Sequence, residues 1–277
     1  MLKDVTFGQY YPVKSFVHNC DPRLKILFLI GYIVAVFLSS NFYGLAACAA
    51  VLVLTVIFSR VPFTSVLRSI KGILFLLIFT AVLNLFFFAG ETTIEIGGVA
   101  LRWGIINITY EGIRYMIFLM LRLFMLVLAS AILTLTTTPV NLTDGIESLL
   151  TPLKWIRFPV HELALIMSIA LRFIPSLMDE TDRIMNAQKA RGADFEHGNL
   201  FKRIKAIIPI LIPLLIGAFR RAEELGDAMD ARCYSGSKIR TKYKKLTFSW
   251  RDLIAALVCA ALITGVVLLN IHTSPVL

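Results

Sequence analysis

Five stretches of this chain stay apolar for long enough to cross a bilayer: residues 24–40, 42–59, 70–89, 113–135 and 253–270. A membrane helix needs about 20 such residues, and roughly 17 at the least, because each adds about 1.5 Å against a hydrocarbon core of about 30 Å. A sixth stretch, residues 204–219, is short, is interrupted by Pro209 and Pro213, and runs directly into Arg220, Arg221, Glu223 and Glu224. It reads as a helix dipping into the cytosolic leaflet. Between residues 92 and 103 polar and apolar positions alternate around Gly97 and Gly98, which predicts a short hairpin. Trp103 beyond it suits the headgroup level. The pattern as a whole predicts an all-α polytopic membrane protein with about five transmembrane helices.

Charge orients these spans. Lys3, Lys14, Arg23 and Lys25 precede or open the first span, and Arg60, Arg68 and Lys71 cluster where the second meets the third. The turn near Asn41 and the tail 271–277 carry no Lys or Arg, and residues 90–112 carry only Arg102. Most of the remainder lies between residues 136 and 251. By the positive-inside rule the N-terminus is cytoplasmic, the C-terminus is outside, and one large helical region between spans four and five is cytosolic. A six-span arrangement would place the basic stretch 238–251 outside, against the same rule. Three parts follow: a membrane domain of four helices (1–138), a cytosolic helical domain (139–248) and a final transmembrane helix (249–277). The first span follows some two dozen polar and mixed residues, so no cleaved signal peptide is expected.

Composition agrees with this reading and narrows the chemistry. The 277 residues are 57% hydrophobic and 17% charged, with a mean hydropathy of +0.77, against roughly 45–50% apolar residues in soluble domains. The net charge of +10 would suggest a nucleic-acid partner if it were evenly spread. Its segregation assigns it to membrane orientation instead, and no nucleic-acid partner is expected. Cys20, Cys48, Cys233 and Cys259 are scattered, without CxxC spacing or a neighbouring His or Asp set, so neither a metal site nor a disulfide framework is expected. There is no phosphate-cradling Gly-Lys-Ser/Thr loop, no HExxH and no GxSxG, and the four histidines have no i, i+4 pairing. No catalytic residue and no cofactor is expected.

The cytosolic region contains an internal repeat with an offset of 41 residues. One helical stretch ends at Ala190, Arg191 and Gly192, and a second ends at Ala231, Arg232 and Cys233. Upstream, Leu177, Met178, Ile184 and Met185 in the first and Phe219, Ala222, Leu225 and Met229 in the second recur at helical steps. Asp179, Glu180, Asp182 and Arg183 occupy the opposite face of the first, and Arg220, Glu223, Glu224 and Asp227 that of the second. Their i, i+4 pairs contribute only about 0.2–0.5 kcal/mol each, so these are solvated faces. A cation in the last helical turn complements the helix dipole, and a glycine there ends the helix, which accounts for either arginine alone. The same Ala-Arg-small pattern at the ends of two paired helices points further, to two similar partners. A guanidinium held at a helix tip can fork into a carboxylate on such a surface.

These residues carry a resemblance. Thr136-Thr137-Thr138-Pro139, Leu149-Leu150-Thr151-Pro152, Ala170-Leu171-Arg172-Phe173-Ile174-Pro175, Ala187-Gln188-Lys189-Ala190-Arg191-Gly192 and Asp227-Ala228-Met229-Asp230-Ala231-Arg232-Cys233-Tyr234 resemble the cytosolic coupling region of the EcfT/CbiQ family, the transmembrane T component of energy-coupling factor importers. The similarity spans essentially the whole chain and is most specific between residues 136 and 234. It implies a non-catalytic scaffold in a bacterial plasma membrane that joins two ABC-type ATPase subunits to a membrane S subunit for uptake of a vitamin or other micronutrient. It also implies that Ala190, Arg191, Gly192, Ala231, Arg232 and Cys233 dock the ATPases.

Polar residues inside the spans supply the competing hypothesis. Arg122 in the fourth span and Asn84 in the third are costly in hydrocarbon and are expected to face protein. They would serve structural pairing or snorkelling, or else a self-contained permease or channel binding its own solute near them.

Overall fold

The computed structural model describes residues 10–13, 15–87, 95–96, 99–100, 102–103, 106–107, 110–156, 158–193, 200–234 and 250–272. Lys3, Lys14, most of the basic stretch 238–251 and the tail beyond residue 272, all used above to set topology, lie outside them. Eight α-helices are described: α1 (Pro22–Leu38), α2 (Phe42–Ser59), α3 (Phe63–Phe87), α4 (Tyr110–Thr136), α5 (Pro139–Leu150), α6 (Val160–Ala190), α7 (Leu200–Ala231) and α8 (Trp250–His272). A 3-10 turn, Thr151–Ile156, follows α5. Between α3 and α4, β1 (Glu95–Ile96) pairs antiparallel with β2 (Val99–Ala100) on either side of Gly97 and Gly98, where the hairpin was expected. A second two-residue pair, β3 (Arg102–Trp103) with β4 (Ile106–Asn107), was not anticipated. The protein is an all-α polytopic membrane protein apart from these short pairings.

Among the described residues, length and apolarity qualify four helical segments to cross a membrane: Phe42–Ser59, Gly112–Thr136, Val160–Ala190 and Trp250–His272. Val160–Ala190 was not among the expected spans. Its apolar first half carries His161, Glu162, Arg172 and Pro175, which interrupt the run, yet the helix continues through Pro175 for 31 residues. Conversely, the expected first span is the 17-residue α1, and the third is apolar over Lys71–Asn84 within α3. The expected stretch 204–219 continues unbroken into the charged sequence after it, as part of the 32-residue α7, through both Pro209 and Pro213.

The described residues form two compact units, one of those up to residue 160 together with 250–272 and the other of those between residues 161 and 234. In the larger, α1, α2, α4 and α8 bury Tyr32, Leu45, Leu52, Met125, Ile132 and Val266 in a common core. The Tyr32 hydroxyl donates to the Cys48 carbonyl at 3.2 Å. Large apolar side chains such as Ile57, Phe75 and Leu257 point outward instead, as a lipid-facing surface requires.

Polar joints cluster at one end of this unit. The Asp21 carboxylate caps α1 by accepting from the Arg23 amide at 3.0 Å, and Pro22 occupies the first turn, where no amide is needed. The Asp21 amide in turn donates to the Asp252 carboxylate at 2.9 Å, tying the start of α1 to that of α8. Lys25 Nζ donates to the carbonyls of His18 (3.2 Å) and Thr136 (3.1 Å) and to Thr137 Oγ1 (3.3 Å). Thr138 then caps α5 by accepting from the Asn141 amide. The Thr136 to Pro139 segment is thus a structural joint between α4, α1 and α5.

Candidate functional site: two capped helix ends

Helix α6 ends by a specific route. The Gly192 amide donates to the Lys189 carbonyl at 3.0 Å and the Ala193 amide to the Gln188 carbonyl at 3.0 Å. Gly192 adopts φ +87°, a left-handed conformation that costs glycine nothing because it has no Cβ. These are the two bonds and the left-handed residue of a Schellman cap, with Arg191 as the last half-helical residue. Helix α7 ends in the same way. The Cys233 amide donates to the Asp230 carbonyl at 2.9 Å and the Tyr234 amide to the Met229 carbonyl at 3.0 Å, with Cys233 at φ +57°. Arg232 therefore occupies the position that Arg191 holds on α6. For a residue with a Cβ this conformation costs about 1–2 kcal/mol, so the second cap carries strain that the first avoids.

Both arginines are exposed, and among the described residues no group of the chain pairs with either guanidinium. Ala190, Gly192, Ala231 and Cys233, the small residues on either side of each arginine in the chain, are exposed as well. Among the cysteines, burial pushes the Cys20 thiol above its ordinary range, whereas Cys233 stands exposed at the second helix end.

The geometry between the two ends was not legible from the repeat alone. Among the described residues, helices α6 and α7 meet where Arg221 forms an ion pair with Glu180, and we refer to this contact as their crossing. These two residues are 41 positions apart, so they are equivalent positions of the internal repeat. A Cβ built on Gly217 would lie 2.9 Å from Glu180 Oε1, so the absent side chain makes room for the acid. Arg191 and Arg232 each follow the crossing by 11 residues, about 16 Å along either helix at about 1.5 Å per residue. Two like charges stand equidistant from one contact.

The intramembrane candidates resolve differently. Arg122 donates through Nη2 to the Ser39 carbonyl at the end of α1, and its guanidinium lies 4.7 Å from the Phe118 ring centroid and 5.9 Å from that of Phe37. It serves as a capping and cation–π group. Asn84 donates to the Thr80 carbonyl one turn back at 2.9 Å, a contact within its own helix. No group of His, Cys, Asp and Glu suited to hold a metal ion occurs among the described residues.

Comparison with known proteins bears on this arrangement directly. A family model described as CbiQ, cobalt transport protein, matches residues 13–243, a range that contains both helix ends and their crossing. A protein of Ruminiclostridium cellulolyticum is 46% identical to this chain over 98% of each sequence. One from Brevibacillus brevis is 48% identical over 95% of this chain and 97% of its own, and one from Bacillus subtilis is 43% identical over 95% and 98%. All three are named energy-coupling factor transporter transmembrane protein EcfT. The chain belongs to the CbiQ/EcfT family. As a member of that family it is a multi-pass bacterial membrane protein, and the similarity covers the membrane helices as fully as the capped ends.

Proposed function

We propose that this chain is the non-catalytic coupling subunit of an energy-coupling factor importer. It carries ATP-driven motion from two cytosolic ABC-type ATPase subunits to a membrane S subunit that binds a vitamin or other micronutrient. The observation that carries the reading is the duplicated cap: Arg191 and Arg232 hold equivalent positions on equivalent helix ends, unpaired among the described residues and equally far along each helix from the Glu180–Arg221 contact. Two similar ATPase grooves, each offering a carboxylate, would receive such a pair. Ala190 and Gly192 at the first end, and Ala231 and Cys233 at the second, are the small neighbours that let a groove close around each arginine. In this reading residues 139–248 form the coupling region between the membrane helices α4 and α8, with the capped ends of α6 and α7 in the cytosol, and the N-terminus is cytoplasmic.

A platform for the S subunit is supported by the apolar face of α7, where Ile207, Ile208, Leu211, Ile212, Leu215 and Ile216 are all exposed. The first half of α6 is similar, with Leu163, Ile166 and Met167 exposed. Apolar surface of this extent needs lipid or a protein partner over it. Affinity purification of the tagged chain from its native membrane tests the proposal. Two ATPases and a small membrane protein are expected to co-purify. Recovery of the chain alone in a state that transports solute after reconstitution would overturn it.

A further inference from the structure

The polar end of the larger unit holds two adjoining spaces of opposite character. An apolar cavity of about 400 Å³ lies between α1, α2, α4 and α8. Its walls run from Leu24 to Tyr32 on α1 and from Val51 to Phe58 on α2, about 10–12 Å along the helices at about 1.5 Å per residue. Phe16 and Phe58 line both this cavity and a second, polar recess bounded by Asn19, Arg60 and Arg251. The recess adjoins the cavity at these two rings, and its charged lining residues, Arg60 and Arg251, are both positive.

The two arginines are placed there by the backbone and by packing. Arg60 follows the last turn of α2 in a left-handed conformation (φ +53°), with its amide donating to the Ile57 carbonyl at 3.2 Å. Arg251 stacks its guanidinium 5.9 Å from the Phe16 ring centroid. Arg60 complements the carbonyl end of α2, but Arg251 stands in the first turn of α8, where the helix dipole opposes a cation. Its neighbour Asp252 is buried and accepts from the Asp21 amide instead. Among the described residues neither guanidinium has an acidic partner. Lys25, on the cavity wall, is already engaged by three oxygen acceptors.

We infer that this compartment binds an anionic phospholipid, with the phosphate between Arg60 and Arg251, the Asn19 amide beside it, and an acyl chain in the cavity. A soluble anion would use the arginines and leave the cavity unfilled. A neutral lipid would fill the cavity and leave two cations uncompensated. In the topology set by the basic residues, this end faces the cytosol, whose leaflet carries the anionic lipids.

The test is native mass spectrometry of the full-length chain in detergent, titrated with phosphatidylglycerol and with phosphatidylcholine of identical chains. Phosphatidylglycerol is expected to bind at least about tenfold more tightly, a factor within reach of two surface cations. Arg60→Ala with Arg251→Ala should remove that preference. Ala255→Phe, which fills the cavity from α8 and leaves both charges in place, should weaken phosphatidylglycerol binding as well. Glycerol phosphate, the headgroup without chains, should not displace the lipid. Equal binding of the two lipids, an unchanged preference in the double variant, full binding in the Ala255→Phe protein, or displacement by glycerol phosphate would each overturn the inference.

Discussion

The two helix ends share one hydrogen-bond pattern and differ in the residue that closes it. At the end of α6 the left-handed position is glycine, and at the end of α7 it is cysteine. The sequence difference is small and the energetic difference is not, since about 1–2 kcal/mol of left-handed strain is a sizeable part of what holds a terminal turn. The cap on α7 is therefore the weaker of the two, although both present an arginine in the same place. A motif can be duplicated in geometry while its two copies differ in rigidity.

The largest expected effect comes from removing what the ends have in common. Replacing Arg191→Ala and Arg232→Ala together should lower ATP hydrolysis of the assembled complex at least tenfold, since truncating a buried interfacial charge pair costs about 2–5 kcal/mol. Membrane insertion should not change, and either single replacement should leave partial assembly. Wild-type hydrolysis in the double variant would remove arginine docking from the account. A smaller effect separates the ends. Gly192→Val should destabilise the first cap by about 1–2 kcal/mol, while Cys233→Gly should stabilise the second by about 1 kcal/mol. Amide hydrogen exchange reads both: it should speed up at Ala193 in the first variant and slow down at Tyr234 in the second. No change at Tyr234 would mean that the two caps are equally firm.

The smallest effect belongs to the crossing. Glu180 and Arg221 are each 28% exposed, so Arg221→Ala should cost below about 1 kcal/mol of stability. It should nonetheless broaden the distribution of distances between spin labels placed on the two ends. The charge-swapped pair Glu180→Arg with Arg221→Glu should narrow it again. A distribution unaffected by Arg221→Ala would show that the crossing is held by packing alone.

Much of this arrangement was legible in the sequence because it rests on local chemistry. The Gly97-Gly98 hairpin, the helix ends at Ala190 and Ala231, and the repeat that relates them all follow from turn residues and helical spacing. The Schellman cap at Gly192 could be anticipated from the glycine. Its counterpart at Cys233 could not, since a cysteine does not announce a left-handed residue; only alignment on the 41-residue offset gives it away. The length of α6 was hidden by Pro175 and by charges that interrupt its apolar half. The Glu180–Arg221 crossing was out of reach because both residues look like members of solvated charged faces, and only tertiary placement distinguishes them. Arg122 was expected to face protein, and the end of the first span near Asn41 was legible, but that the guanidinium reaches the Ser39 carbonyl there depends on how α4 packs against α1.

The crossing also has a mechanical meaning. Measured along the chain, about 30 Å of helix lies before Glu180 in α6 and before Arg221 in α7, against about 16 Å after each, at about 1.5 Å per residue. A pair of rods pinned at that point forms scissors with unequal blades. Closing the short blades by a given amount sweeps the long ones roughly twice as far. Were the Glu180–Arg221 contact to act as such a pivot, modest travel at the arginine ends would be enlarged toward the apolar halves of α6 and α7.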